Sequence, residues 1–156
     1  MRIFIIDDDE LFAECVSSAA KKAVFLSADE ISEKNTAKLS AHPCKTASKT
    51  NKKITSKTAQ KSVTVEIYKN ALDAMNNLVD PLPDLIFLDI LLPGPDGFTF
   101  LNEIVSYPDT AKIPIVLITS LNLEPFDLKV YGVKGILNKE KMSPKDVTAY
   151  VERYQN

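Results

Sequence analysis

One histidine and two cysteines are all that 156 residues provide of the side chains most used for transition-metal and redox chemistry. His42 lies in a polar, lysine-rich stretch and is not a credible catalytic or metal residue. Cys15 and Cys44 make no disulfide framework. Cys15 falls in a helical apolar pattern and is expected in the core, whereas Cys44 sits among polar residues. No apolar run approaches membrane-spanning length, and the start, MRIFIIDDDE, turns acidic too early for a secretory leader. The expectation is therefore a cytoplasmic chain with no membrane span, long enough for one domain with a sizeable core.

Acid is also missing where base is abundant. Residues 35–62 hold seven lysines and no aspartate or glutamate, so the net charge of −2 leaves −9 on the remainder. The same stretch has no arginine and no Phe, Tyr or Trp, so nothing in it grips phosphate bidentately or stacks on a base. That argues against a nucleic-acid partner. Nine Ser/Thr and few apolar side chains leave too little to bury against the entropy of ordering. We read 35–62 as a solvated insertion within a single domain spanning 1–156, with a marginal helix expected over Ala28–Ala41.

What remains has a regular rhythm. Arg2–Ile6, Val63–Tyr68, Leu85–Leu88, Ile113–Ile118 and Gly135–Asn138 read as five short strands. Between them run helical patterns: Leu11, Phe12, Cys15, Val16, Ala19 and Ala20; then Leu72, Met75 and Leu78 behind an Asn70/Asp73 cap; then Phe98, Leu101, Ile104 and Val105. A weak helix containing Pro125 follows strand four, and a last one opens at Ser143-Pro144 with Asp146 and buries Val147, Tyr150, Val151 and Tyr154. Five alternating βα units with strands apolar throughout predict a doubly wound five-stranded parallel sheet covered by helices on both faces.

In such a sheet, ligands bind outside the carboxyl ends of the strands, at the switch in strand order. Every chemically suggestive residue here sits at a strand end: Asp7 and Asp8 after strand one, Asp89 after strand three, Thr119 after strand four, Lys139 after strand five. Any one of these suits a cap or a surface charge. Five at successive strand ends do not fit that reading. Crowded carboxylates repel and need a cation, and oxygen donors select a hard ion, magnesium above all. With Lys139 and Thr119 left to hold anionic oxygens, the set matches what phosphoryl transfer requires.

Taken together, IFIIDDDE, IFLDILLPGPDGF, IVLITS and GVKGILNK resemble the receiver domain of two-component response regulators, over the whole chain except the insertion. The resemblance implies the flavodoxin-like receiver fold and a phosphoryl group accepted on Asp89 from a histidine kinase or phosphotransfer protein, with Mg2+ as cofactor. It implies that Asp8 binds the metal directly, Asp7 largely through water, and the Leu91 carbonyl as a further ligand. Thr119 and Lys139 would hold phosphoryl oxygens, and Pro93 and Gly97 match the loop that positions the acceptor. Such a protein is not an enzyme on other substrates; it accepts the group, loses it slowly and switches an output protein.

Three departures stand out. Glu140 replaces the proline that usually follows the lysine, Ile136 replaces the switch aromatic of strand five, and Leu91 and Leu121 put apolar groups where the hydrolytic water approaches. The chain reads as a stand-alone receiver, or as a receiver cut from a longer protein. One alternative is a receiver-like interaction module that no longer takes phosphate, supported by positions 136 and 140 alone. A haloacid-dehalogenase-type phosphohydrolase would use Asp7 and Asp9 as its DxD, but offers no late acidic strand end and no role for Asp89.

Overall fold

A computed structural model of the protein describes residues 1–34, 62–123 and 128–155. Five strands appear in these: β1 Arg2–Ile6, β2 Thr64–Tyr68, β3 Leu85–Leu88, β4 Ile115–Thr119 and β5 Val133–Asn138. The α-helices are α1 Glu10–Lys34, α2 Ala71–Asn76, α3 Gly97–Val105 and α4 Pro144–Tyr154. The strands form one sheet in the order β2-β1-β3-β4-β5, every pair parallel. The chain steps outward from β1 to β2, returns to β3 on β1's other side, and continues outward. The switch in direction therefore lies between β1 and β3.

The apolar strands are explained by double coverage. Side chains alternate between the two sheet faces, so Phe4, Ile6, Ile86, Leu88, Ile115 and Leu117 meet α2 and α3. Ile3, Ile5, Leu85, Phe87, Val116 and Ile118 meet α1 and α4. The edge strands β2 and β5 are only half-buried, as each has one neighbour.

The helix starts follow their caps. Asn70 Oδ1 accepts from Asp73 N–H at 2.8 Å, and Asp96 Oδ1 from Thr99 N–H at 2.8 Å. Asp146 Oδ2 takes both the Ser143 N–H (2.7 Å) and its hydroxyl (2.8 Å). These acceptors satisfy amides that a helix leaves unpaired in its first turn.

Several expectations are corrected. Cys15 is exposed, and Leu11 is 81% exposed. The buried stripe of α1 is Ala13, Val16, Ser17, Ala19, Ala20, Ala23 and Val24, which recur at three- and four-residue steps and include Val16, Ala19 and Ala20 of the expected row. Alanine and serine make up most of that stripe, which lets α1 lie close to the sheet and to α4; Leu11 and Cys15 fall one row over and are exposed. α2 ends at Asn76, short of Leu78, and buries Ala71 and Ala74 while Leu72 is exposed. Between β4 and β5, the described residues contain a 3₁₀ turn, Lys129–Tyr131, and the middle of the segment expected as a weak helix lies outside them. β5 begins at Val133, before Gly135, because Val133 still pairs with Ile115.

The insertion, with His42 and Cys44, lies outside the described residues except for Ser62; Pro125 lies outside them too. Ala28–Lys34 continues α1 and is not a separate helix. The chain rejoins the fold beside its own start. The Met1 ammonium donates to the Ser62 carbonyl at 2.9 Å, and Thr64 N–H to the Met1 carbonyl at 2.9 Å. That is the amino edge of the sheet.

Candidate functional site

The site is built where β1 and β3 end side by side. The ladder runs one residue past each strand: Asp7 N–H donates to the Tyr68 carbonyl at 2.9 Å, and Asp89 N–H to the Ile6 carbonyl at 2.8 Å. Two aspartates are thereby held by backbone bonds at the mouth of the switch point. Asp7 is 2% and Asp89 4% exposed. Asp8, the next residue after Asp7, is exposed. Carboxylate oxygens of Asp7, Asp8 and Asp89 lie within 4.8 Å of one another.

Lys139 reaches across from the end of β5 to this group. Its Nζ lies 2.9 and 2.8 Å from the two oxygens of Asp7 and 2.7 Å from Asp89 Oδ2. The other oxygen of Asp89 accepts the Leu91 N–H at 3.0 Å. Burial, the largest influence on Lys139, would lower its pKa, but the bonds and charges of Asp7 and Asp89 outweigh it and hold it above the ordinary value. Burial raises the Asp7 carboxyl above the usual range despite the lysine's pull and the Asp9 amide. Three carboxylates against one ammonium leave two negative charges when all are ionised, which a divalent cation would balance.

Thr119 closes β4 and is fully buried. Its carbonyl takes the Lys139 N–H at 3.1 Å, and its hydroxyl accepts the Leu121 N–H at 3.3 Å. The threonine thus shares the sheet edge and the strand-end backbone of the lysine. All five predicted side chains lie along this edge, and four of them, Asp7, Asp8, Asp89 and Lys139, form one cluster.

The loop after Asp89 folds back on it. Gly97 N–H donates to the Ile90 carbonyl at 3.0 Å. A Cβ on Gly97 would stand 2.6 Å from both the Asp89 carbonyl oxygen and the Ile90 Cα, so only glycine allows that approach. Glu140, where a proline was the usual residue, has a backbone N–H that the turn uses. Its N–H is bound by Asn138 Oδ1 at 2.9 Å, while Met142 N–H returns to the Asn138 carbonyl at 2.9 Å.

A model of the response regulator receiver domain matches residues 46–152. The chain belongs to that family. Response regulator PleD of Caulobacter vibrioides is 51% identical over 41 residues, 26% of this chain and 9% of PleD. The phosphate regulon transcriptional regulatory protein PhoB of Escherichia coli is 33% identical over 81 residues, 51% of this chain and 35% of PhoB. The chain thus spans well under half the length of these relatives. Among solved structures, the Mn(2+)-bound form of response regulator Rcp1 superposes with a TM-score of 0.57 at 22% identity, covering 97% of this chain and 89% of that one. This receiver therefore has its family's fold. No helix among its described residues is long and apolar enough to cross a membrane.

Two residues of the site escaped sequence reasoning. Asp9 Oδ1 caps α1 through the Phe12 N–H at 3.0 Å, and the Phe12 ring centroid lies 4.8 Å from Lys139 Nζ. The spacing Asp9–Phe12 is that of a helix cap and its third residue, a signal available in the sequence. The ring's approach to a lysine 127 positions away had no such signal.

Proposed function

We propose that this receiver accepts a phosphoryl group on Asp89 from a phosphohistidine of a histidine kinase or phosphotransfer protein, with magnesium, and passes the change to a protein partner. The observation that carries the reading is Lys139 bonded at once to two nearly buried carboxylates, Asp7 and Asp89, with Asp8 beside them at the surface.

An oxygen of Asp89 attacks phosphorus, and the new O–P bond forms as the P–N bond to the donor imidazole breaks. The imidazole leaves with the electron pair and takes a proton from solvent. Charge builds on the phosphoryl oxygens in the transition state, so the groups that hold those oxygens carry the catalysis. Lys139 takes one and the Thr119 hydroxyl another. The donor set fits a hard divalent cation: carboxylates of Asp8 and Asp89 directly, Asp7 largely through water, and the Leu91 carbonyl. When bound, magnesium would neutralise the carboxylates and the phosphoryl oxygens. The product is an acyl phosphate that the protein itself hydrolyses slowly. The protein turns over no other substrate and works in the cytoplasm.

Incubation with acetyl phosphate and magnesium should add one phosphoryl group, labile to hydroxylamine and mapped by mass to Asp89. Asp89→Asn should take none. A wild type that stays unlabelled is the phosphate-inactive interaction module, and labelling that persists in Asp89→Asn refutes the acceptor assignment.

A further inference from the structure

The ammonium of Lys139 has a neighbour besides its carboxylates. Its Nζ lies 4.8 Å from the centroid of the Phe12 ring. Phe12 stands in the first turn of α1, where the acidic loop fixes it. Asp9 N–H donates to Asp7 Oδ1 at 3.0 Å, and Phe12 N–H donates to Asp9 Oδ1 at 3.0 Å. Lys139 then returns to Asp7 at 2.8 Å. The contacts Asp7–Asp9–Phe12–Lys139–Asp7 form a closed ring, so Phe12 is tied to the acid that the lysine holds. The ring also borders a hollow between α1 and the start of α4, lined by Cys15, Met142 and Pro144.

An aromatic face carries the negative lobe of the ring quadrupole and attracts a cation above it. Without that face, the side of the ammonium turned away from Asp7 and Asp89 would open to water, and the flexible four-carbon stem would do less to hold it at the pair. We propose that Phe12 is a positioning residue for phosphoryl acceptance: its ring holds the Lys139 ammonium at the Asp7–Asp89 pair, ready for the incoming phosphoryl oxygens. This rests on the phosphoacceptor reading above. The transfer is unaltered, and Phe12 acts only through the lysine. The competing explanation is that Phe12 merely packs the hollow, for which leucine would serve nearly as well.

The test uses the full chain with acetyl phosphate and magnesium, so that docking of a protein donor is not measured. An Asp89 oxygen bonds to phosphorus, the bond from phosphorus to the acetate oxygen breaks, and acetate leaves with the electron pair. Position 12 carries phenylalanine, then its mono-, di- and trifluoro analogues, which keep the shape and progressively weaken the ring face. The rate should fall stepwise with fluorine, and Phe12→Leu should lose about 3- to 10-fold, equivalent to about 0.7 to 1.4 kcal/mol. Phe12→Tyr should restore the wild-type rate. By NMR of the metal-free protein, exchange of the Lys139 ammonium protons with water should speed up in the same order. A flat fluorine series overturns the proposal, and so does a loss confined to Phe12→Leu, which would assign the residue to packing. Labelled wild type with a flat series refutes only the role of Phe12; unlabelled wild type refutes the phosphoacceptor reading and this proposal with it.

Discussion

Replacing Lys139 by methionine should destabilise the metal-free protein, and the cost should depend on pH with a definite sign. The substitution keeps the aliphatic stem and removes the charge that lies 2.7 to 2.9 Å from Asp7 and Asp89. Removing one partner of a buried ion pair typically costs about 3–5 kcal/mol, because the remaining charge is left uncompensated. Lys139 keeps 16% of its side chain in water, so we expect about 2–4 kcal/mol at pH 7.5. The Asp7 carboxyl is already held above its usual range by burial, and Lys139 is what pulls it back. Without the lysine, its folded-state pKa rises further. A carboxyl with a raised folded pKa contributes stability below its unfolded pKa of about 4, and that contribution is lost as pH rises through the folded value. Lys139→Met should therefore recover stability relative to wild type as pH falls from 7.5 toward 4.5. Urea titrations at several pH values with a chelator measure this, and repeating them with magnesium should narrow the gap by mass action. Equal midpoints for mutant and wild type at pH 7.5, or a gap that does not shrink on acidification, would refute the reasoning.

Gly97→Ala should cost about 1–3 kcal/mol in urea unfolding and slow phosphorylation, since its Cβ would meet the Asp89 carbonyl at 2.6 Å and backbone must move; an unchanged midpoint contradicts this. Replacing residues 35–62 by a short Gly/Ser linker should leave phosphorylation by acetyl phosphate nearly unchanged, because the segment rejoins at Met1, on the amino edge. Loss of labelling in a folded variant would place the segment at the site instead. The acyl phosphate should be long-lived, because Leu91 and Leu121, 52% and 37% exposed at the rim, offer no side-chain hydrogen bond to an attacking water. A Leu91→Asn, Leu121→Glu double mutant should lose phosphate about 10- to 100-fold faster, equivalent to about 1.4 to 2.7 kcal/mol in the barrier; a time course no faster than wild type defeats the shielding argument.

Strand identity was legible because parallel strands covered on both faces read as near-continuous apolar runs, as residues 3–6, 85–88 and 115–118 do. Site residues were legible for a related reason. The carboxyl ends of such strands converge, so an isolated Asp, Thr or Lys ending an apolar run is already placed on one edge. The buried face of α1 was legible in part: Val16, Ala19 and Ala20 of the apolar row are buried and Phe12 packs against them, whereas Leu11 and Cys15 of the same row are exposed. An apolar row in sequence does not register which of its edges the sheet and α4 cover. The 3₁₀ turn Lys129–Tyr131 ahead of β5 carried no signal in the sequence. The charge pattern of the site belongs to the tertiary structure alone. Residues 7, 89 and 139 are remote in sequence, and only the order β2-β1-β3-β4-β5 brings them within hydrogen-bonding reach. Burial there then raises Asp7, and the Phe12 ring comes to rest beside Lys139. Local patterns specify which residues end strands, whereas distances and desolvation between those ends exist only once the sheet has formed.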